Sequence, residues 1–416
     1  MSRGREVHAT PGWRCLAVTS LFPSASQPTH GVFVLQRLQA LARRGAEVRV
    51  LAPVPYVPPG PVPGRYAELR SIPRAGEIGG LTVRYPRYAM IPKISMNAQA
   101  WSYARGITGA VRQAIRTWQP HLLDAHYLYP DACAAGRVAR RFGIPYVCTA
   151  RGSDVKLLAH FPRVRKQIRT ALEGAAAVIA VSNDLAGEMR SLGLTDGPIH
   201  VVPNGVDRAL FYPRSRAEAR RELGLAEDKR FVVCVAHLVG EHGHALLVRG
   251  LAHEDAPKDL ELYLLGGGPE RARVEALVRS LGLEERVHLL GPVEHRKVPA
   301  WYCAADASAL ISDREGCPNV VLESLACGTP CLGSDLPEMR EVIVSPRQGA
   351  LVPRTRAGVA RGLAEIVAGT WPVEDLTAEP RTWDDVARRV ETCFERNVRR
   401  PEAEPGLGSA DRESYA

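Results

Sequence analysis

The chain has 416 residues, enough for two domains of ordinary size, and its 45% apolar and 24% charged residues are normal for a globular protein. No apolar run approaches the roughly 20 residues that a membrane-spanning helix needs, and the polar N-terminus lacks the apolar core of an export signal, so we expect a cytoplasmic protein. The net charge of +9 is divided unevenly, because residues 1–206 hold 26 Lys and Arg against 11 Asp and Glu, whereas residues 207–416 hold 28 against 34.

Short apolar or β-branched runs alternate with amphipathic helical stretches through the first half of the chain. The runs predict strands at 15–22, 47–53, 81–86, 122–127, 145–150, 176–182 and 199–205. Helical stretches at 33–44 and 132–142 lie between them. The segment 54–64 is too rich in proline for a helix or a central strand, so we predict a surface loop there.

The same alternation continues through the second half. Strands are predicted at 231–236, 260–266, 286–291, 307–312 and 330–335, and helices at 244–253, 270–281, 296–304 and 319–327. Alternation of this kind predicts the α/β class, with two doubly wound parallel sheets. The nine cysteines show no CxxC spacing, which favours reduced thiols over disulfides or a metal site.

The turn signal Asn204-Gly205 marks the boundary between the two series of strands. We therefore predict one domain over residues 1–206 and a second over residues 207–380. A terminal amphipathic helix over residues 381–400 is expected to pack back on the first domain. The polar residues 401–416 are expected to form a disordered tail.

The stretch "DREGCPNVVLESLACGTP" carries the chemistry. Ligands of parallel sheets bind beyond the carboxyl ends of the strands, and here a strand ends just before Glu315. Glu323 lies one turn inside the following helix, on the same side as Asn319. Each carboxylate can accept hydrogen bonds from sugar hydroxyls, and the free amides at the start of the helix attract an anion. The arrangement suits a nucleotide sugar.

This stretch resembles the E-x7-E motif of the GT-B glycosyltransferases, specifically retaining family 4. The segments "FPSASQPTHGVFVLQRL", "VPNGVD" and "LLGGGPER" are similar to other parts of that family, and the resemblance covers roughly residues 14–398. The opening segment is closest to the teichuronic acid and exopolysaccharide type. The resemblance implies two Rossmann-like domains that face each other across a cleft, the first binding the acceptor and the second the nucleotide-sugar donor.

The implied activity is transfer of a sugar, with retention of configuration, from a nucleoside-diphosphate sugar to a glycan or lipid-linked acceptor. No metal and no cofactor other than this co-substrate are expected. Glu323 would hold the ribose and Glu315 the hydroxyls of the donor sugar, the latter as a catalytic residue. The remaining donor-binding residues would be Gly316, Cys317, Pro318, Asn319, Gly266 and, near the base, Val293. Gly31 would let the backbone approach the diphosphate or the acceptor.

The chain departs from the family pattern at the site of the diphosphate. Many members carry R-x4-K-G after the first donor-domain strand, and both cations contact the diphosphate. Here His237 and His242 occupy those positions, before Gly243. An imidazole is only partly charged at neutral pH, although a bound diphosphate favours its charged form. His242 is therefore either a weaker catalytic cation or the mark of a slowed, acid-favouring or inactive enzyme.

Arg151, His126 and Asp154 are the candidates for acceptor binding. Arg151 either binds an anionic group of the acceptor or pairs internally with Asp154. His126 either meets the acceptor hydroxyl as a catalytic residue or bonds a carbonyl in the core. The basic first half, with its helix at 161–172, either lies against an anionic membrane, at the inner face of the plasma membrane, or is a solvated Arg-rich surface. We expect no nucleic acid as a partner.

Three other functions compete with this interpretation. A catalytically impaired family member would bind nucleotide sugar, or a partner transferase, without transfer. A nucleotide-sugar epimerase on a similar scaffold would change the sugar without an acceptor, but the E-x7-E pattern argues against it. "GGGP" superficially resembles a dinucleotide fingerprint, yet it lacks the third glycine of G-x-G-x-x-G, which makes an oxidoreductase a weak alternative.

Overall fold

The computed structural model describes residues 12–60, 64–90, 96–378 and 381–399. The tail predicted at 401–416 lies outside these residues. Among the helices of the described ranges, none combines the length and the apolar character that crossing a membrane requires.

The first half of the chain forms an eight-stranded sheet and a two-stranded ribbon. Its strands are β1 (Arg14–Thr19), β2 (Glu47–Leu51), β3 (Val54–Pro55), β4 (Ala75–Ile78), β5 (Leu81–Arg84), β6 (Arg87–Tyr88), β7 (Leu122–His126), β8 (Tyr146–Ala150), β9 (Ala177–Ala180) and β10 (Ile199–Val201). The sheet has the order β10-β9-β8-β7-β1-β2-β5-β4, and β3 pairs with β6 in the ribbon. Neighbours in the sheet are parallel except for the hairpin of β4 and β5.

Helices cover both faces of this sheet, so its central strands are buried on both sides. They are α1 (Val32–Arg43), α2 (Gly64–Ser71), α3 (Gln99–Thr117), α4 (Cys133–Phe142), α5 (Ser153–Lys156), α6 (Pro162–Glu173) and α7 (Asn183–Ser191). The apolar sides of α3, α4, α6 and α7 share one core with the sheet, and α1 belongs to the core on the opposite face.

The second half forms a six-stranded parallel sheet in the order β13-β12-β11-β14-β15-β16. Its strands are β11 (Arg230–Val235), β12 (Leu260–Leu265), β13 (Val287–Gly291), β14 (Ala307–Leu310), β15 (Cys331–Ser334) and β16 (Gly349–Val352). The helices are α8 (Arg216–Leu223), α9 (His244–Leu251), α10 (Arg271–Ser280), α11 (Val298–Ala304), α12 (Asn319–Ala326), α13 (Pro337–Arg340), α14 (Arg356–Ala368) and α15 (Val373–Thr377). These helices pack on both faces of the sheet and form one hydrophobic core on each face.

The last helix of the described residues packs on the first sheet rather than the second. The last helix, α16 (Trp383–Asn397), buries Trp383, Val390 and Phe394 in the core that contains α1. Thr382 caps its start in a capping box with Asp385. Where the chain returns, Val206 forms a β-bridge with Thr382, so the outgoing and returning crossings touch.

The predicted α/β class with two doubly wound parallel sheets is confirmed. The surface loop predicted over 54–64 differs from the structure at its two ends, because Val54–Pro55 pairs with Arg87–Tyr88 and α2 begins at Gly64. Proline has no backbone N–H to donate to a neighbouring strand. Pro55 is tolerated because, among the described strands, β3 pairs only with β6, so the other edge of β3 needs no N–H donor.

Candidate functional site

Two adjoining cavities lie where the carboxyl ends of the two sheets approach each other. The first, of about 280 Å³, is walled by the start of α1, by the loops after β11, β12 and β13, and by α12. The second, of about 270 Å³, is walled by the loop after β8, the turn before α9 and the loop after β14. Phe33 and Asn319 line both cavities, so the two spaces meet at these side chains.

Glu323 faces the first cavity and is held by a partner that the sequence did not indicate. Its Oε1 lies 3.0 Å from Nε2 of His295, which also lines this cavity. Burial opposes the charge of His295, but the hydrogen bond and the charge of Glu323 outweigh it, and the pKa of His295 is raised. The pair therefore fixes a carboxylate at the cavity wall.

Val293 and Gly266 line the same cavity. Gly266 has φ +149°, and a Cβ atom there would lie 2.0 Å from the carbonyl oxygen of Ala236. Any other residue would push the loops after β11 and β12 apart. The surrounding wall is largely apolar, with Val235, Val298 and Val320, and it suits a flat ring.

Glu315 lines the second cavity at the tip of β14. Ser312 Oγ donates to its Oε1 at 2.6 Å, and its own N–H donates to Oε1 of Glu338 at 2.6 Å. Burial raises the pKa of Glu315, while the Ser312 hydrogen bond and the nearby His242 act in the opposite direction. The structure thus brings Glu315 and Glu323 to two connected spaces, one each.

The residues after Glu315 lie at a place where the two halves of the chain are in direct contact. A Cβ atom on Gly316 would come within 1.9 Å of the carbonyl oxygen of Arg151, so only glycine fits. Cys317 and Asn319 line the second cavity beside it. Pro318 is buried at the cap position of α12 and lines neither cavity, which corrects the prediction that it contacts the donor.

His237 lines the first cavity and His242 the second. Nδ1 of His237 lies 2.9 Å from the carbonyl oxygen of Gly267, and Nδ1 of His242 lies 2.8 Å from the carbonyl oxygen of His237. Because a carbonyl only accepts, each Nδ1 carries the hydrogen. Nδ1 is thus engaged in both rings, and Nε2 is the nitrogen that remains for a ligand.

Two cations that the sequence analysis did not single out also line the second cavity. Arg314 Nη2 donates to Glu241 at 2.9 Å, and both residues belong to the wall. Lys156 donates to Glu338, on the other half of the chain, at 2.9 Å and to Asp184 at 2.7 Å. Burial opposes the charge of Lys156, but the two carboxylates raise its pKa overall. Arg314 directly precedes Glu315 in the sequence, and this position could have indicated that it lies in the site. Nothing in the sequence linked Lys156 to Glu338.

Arg151 lines the second cavity opposite Glu315, and its contacts differ from those predicted. Its guanidinium donates to Asn204 at 3.0 Å and to Nδ1 of His126 at 2.5 Å. Burial and the charge of Arg37 lower the pKa of Arg151 to about 9. The charges of Asp124 and Asp154 act in the opposite direction.

Of the two alternatives for Arg151, the internal pair with Asp154 does not involve the guanidinium, because the backbone N–H of Arg151 donates to Asp154 at 3.1 Å. Asp154 is fully buried and accepts hydrogen bonds from backbone N–H groups, among them those of Leu128 at 2.8 Å and Gly152 at 2.8 Å. It shapes the loop after β8 and lines neither cavity. The prediction that Asp154 contacts the acceptor does not agree with this position.

His126 is also fully buried, behind Arg151, and lines neither cavity. Its Nε2 lies 3.1 Å from a carboxylate oxygen of Asp124, and burial lowers its pKa to about 4. Neither predicted role, contact with the acceptor hydroxyl or a bond to a core carbonyl, describes these contacts. His126 instead positions Arg151, which in turn reaches Asn319 through Asn204, whose Nδ2 donates to Asn319 Oδ1 at 2.9 Å.

Gly31 precedes α1 with φ +68°, and a Cβ atom there would lie 2.3 Å from the carbonyl group of Leu21. Close packing of its own loop therefore explains the glycine, and Gly31 lines neither cavity. Its neighbours Val32 and Phe33 do line the first cavity. No group of three or more His, Cys, Asp or Glu side chains within the described residues is arranged to hold a metal ion.

Two family models match the chain in succession. The model described as Glycosyltransferase Family 4 matches residues 30–210, and the model described as Glycosyl transferases group 1 matches residues 215–383. The first match thus covers the strands of the first sheet except β1, and the second match covers all six strands of the second sheet.

Similar proteins and structures extend over most of the chain. A Bacillus subtilis protein, TuaC, whose name assigns it to teichuronic acid biosynthesis as a glycosyltransferase, is 29% identical over 92% of this chain and 95% of its own. A D-inositol 3-phosphate glycosyltransferase of Xylanimonas cellulosilytica is 30% identical over 77% of this chain and 78% of its own. Among solved structures, Anabaena HepE in complex with UDP and glucose matches with a TM-score of 0.68 and 16% identity, over 92% of this chain and all of that one.

Proposed function

The chain belongs to glycosyltransferase family 4, with the GT-B fold, and on this premise we propose that it moves a sugar from a nucleoside-diphosphate sugar to a lipid-linked glycan, with retention of configuration. It is a glycosyltransferase; the donor, the acceptor and the stereochemistry are the proposal. The observation that carries it is the placement of Glu315 and Glu323 in two cavities that meet at Asn319. Two sugars separated by a diphosphate need such an arrangement.

The first cavity takes the nucleoside. Glu323, fixed by His295, accepts hydrogen bonds from the ribose hydroxyls, and the apolar wall near Val293 contacts the base. The amides at the start of α12 face the diphosphate, where a helix N-terminus favours negative charge. Anabaena HepE, which has the same fold, binds UDP.

The second cavity takes the donor sugar, and Glu315 accepts hydrogen bonds from its hydroxyls. As the glycosidic bond breaks, negative charge grows on the departing diphosphate, and preorganised cations stabilise it. His242 supplies one such charge when Nε2 is protonated, and Arg314 supplies a permanent one. No metal enters this proposal. The acceptor attacks from the same face as the departing diphosphate, which retains the configuration.

The acceptor enters from the first half of the chain, where Arg151 faces Glu315 across the second cavity. The charge of Arg151 suits a phosphate or carboxylate on the acceptor. The relative named D-inositol 3-phosphate glycosyltransferase acts, by its name, on a phosphate-bearing acceptor. We place the protein in the cytoplasm, at the inner face of the plasma membrane, in the synthesis of a cell-surface polysaccharide.

A screen of nucleoside diphosphates and their sugars by thermal shift and calorimetry tests the donor side of the proposal. We expect one nucleoside diphosphate to bind to wild type and to bind less tightly to the Glu323→Ala variant. The anomeric configuration of a transferred sugar, read by NMR, tests retention. If no nucleotide binds, or if the product has inverted configuration, the proposal fails.

Both phosphate-contacting cations of the family are histidine here, and this observation favours one second candidate, a binding protein that transfers no sugar. The His242→Lys variant discriminates between the two, because lysine is charged across the neutral range. A transferase should gain activity from this change, most of all at alkaline pH, where an imidazole is neutral. If neither wild type nor the variant transfers or hydrolyses any donor between about pH 5.5 and 8, the binding function is the better account.

A further inference from the structure

Three neighbouring helices present one continuous outer surface on the first half of the molecule. α3, α4 and α6 all bury their apolar sides in the same core, through side chains such as Ile107, Val138 and Ile168. α6 reaches the segment just before α3, because Gln167 donates to the carbonyl oxygen of Asn97 at 3.0 Å. Their opposite sides face solvent together, and we call this surface the three-helix face.

The three-helix face is strongly basic. The three helices carry ten Arg and Lys residues and a single carboxylate, Glu173, which pairs with Arg169 at 3.3 Å. The opposite face of the same sheet is different. There α16 carries four Asp and Glu against three Arg, and its carboxylates pair with Arg43 and Arg44 of the neighbouring segment. The excess positive charge of the first half is therefore concentrated on one side.

An open groove of about 440 Å³ runs along the three-helix face between α3 and α4. Its wall includes Trp101, Arg105, Thr108, Arg137 and Arg141. Trp101 is 58% exposed, and the guanidinium carbon of Arg105 lies 5.8 Å from the centre of its ring. A large exposed indole beside Arg105, Arg137 and Arg141 favours a partner that offers both apolar and anionic groups.

The three-helix face borders the side of the cleft assigned to the acceptor. Lys156, which lines the second cavity, is followed directly by Leu157, and Phe161 precedes α6. Leu157 and Phe161 are both 42% exposed. Exposed apolar side chains thus continue from the basic helices toward the mouth of the second cavity.

We propose that the three-helix face docks the protein on the anionic surface of a phospholipid membrane. Arg105, Arg137 and Arg141 bind lipid phosphates, and Trp101 enters the boundary between headgroups and acyl chains, where indole rings partition well. The inference deepens the proposed function and rests on it for the lipid-linked acceptor only, because the same surface would deliver that acceptor to the cleft. The charge and the exposed indole are independent of any substrate.

Co-sedimentation of the full chain with vesicles tests this inference. Wild type should bind vesicles of phosphatidylcholine mixed with phosphatidylglycerol, should not bind phosphatidylcholine alone, and should be released by salt. The Arg105→Glu/Arg137→Glu/Arg141→Glu triple variant should lose about tenfold or more of the binding. Trp101→Ala should lose part of it and leave the salt dependence in place.

The Arg361→Glu/Arg389→Glu/Arg396→Glu triple variant is the matched control, since it makes the same change of net charge at exposed positions on α14 and α16. It should keep wild-type binding. The inference is overturned if wild type does not distinguish the two vesicles, or if both triple variants lose binding equally. If the triple variant on the three-helix face does not fold, two other measurements test the inference. These are the vesicle binding of Trp101→Ala and the salt dependence of wild-type binding.

Calorimetry with the nucleotide found in the donor screen separates this inference from the proposed function. The triple variant on the three-helix face should bind that nucleotide as wild type does, because none of its positions lines either cavity of the cleft. Vesicle binding without nucleotide binding in wild type would remove the proposed function and leave the docking surface. Nucleotide binding without vesicle binding would remove the docking surface and the placement at the membrane, and would leave the donor side of the proposed function.

Discussion

Glu323 stands at the wall of the first cavity with His295 as its partner, and its loss should weaken donor binding directly. For Glu323→Ala we expect a loss of about 1–3 kcal/mol in the affinity for the nucleotide, because hydroxyl groups of the ribose lose a charged acceptor. Calorimetry with UDP and with GDP measures it. Glu365→Ala, at an exposed position of α14, is the control and should bind as wild type. Equal affinities in the two variants would remove the ribose role.

The buried carboxylate of Glu315 should lower the stability of the folded protein, although sugar transfer requires it. Burial raises its folded pKa, so its ionised form costs the folded state stability at pH values above that pKa. Below the unfolded pKa of the carboxyl group both states are protonated and the cost vanishes. We therefore expect Glu315→Gln to raise Tm at neutral pH, to lose this gain as the pH falls into the acidic range, and to transfer no sugar.

Thermal unfolding at several pH values measures the effect of Glu315→Gln, with Glu365→Gln as the exposed control. A lower Tm for Glu315→Gln at neutral pH would mean that the hydrogen bond from Ser312 outweighs the cost of burial.

At the scale of elements, the start of α7 is held by a carboxylate from the opposite half of the molecule. Glu341, just after α13, accepts from the N–H groups of Asn183 at 2.9 Å and of Asp184 at 2.8 Å. Free N–H groups at a helix start favour a carboxylate, so this contact stabilises the approach of the two halves.

For Glu341→Ala we expect a severalfold higher KM for the donor with kcat less affected, because the two halves lose a contact that holds them close around the cavities. Small-angle scattering with and without nucleotide checks the cause, since the variant should be more open than wild type. A change in kcat alone, with unchanged scattering, would contradict a role in closure.

Strands with long apolar runs were predictable, and strands without them were not. The runs at 231–236, 260–266 and 307–312 correspond to β11, β12 and β14, whose side chains are buried on both faces. β4 was missed because Ala75–Ile78 is an exposed edge strand without apolar alternation.

The candidate site divides in the same way. The two glutamates were predictable, because a strand tip and a helix turn are local features. The pairs His295–Glu323 and Lys156–Glu338 were not, since they join elements whose relative placement no local pattern encodes. The sequence left two alternatives open for Arg151, an anionic acceptor or a pair with Asp154, and it could not show that backbone N–H groups satisfy Asp154.

At the scale of the whole molecule, the last helix stabilises the half of the chain from which it is most distant in sequence. Phe394 is fully buried in the core of the first sheet, with its ring 5.6 Å from that of Trp13. Phe394→Ala should destabilise the protein by about 3–5 kcal/mol, through lost burial and the cavity left behind. Denaturant unfolding measures it, and Phe161→Ala, at a half-exposed position, should cost far less.

Because the polypeptide passes between its halves twice, and Val206 and Thr382 join the two passages, the molecule has a paired pivot instead of a single tether. A single tether would permit twisting as well as bending. Two joined passages restrict twisting and leave bending as the easier relative motion of the two halves. We expect such a motion to preserve the alignment of Glu315 with Arg151 across the second cavity.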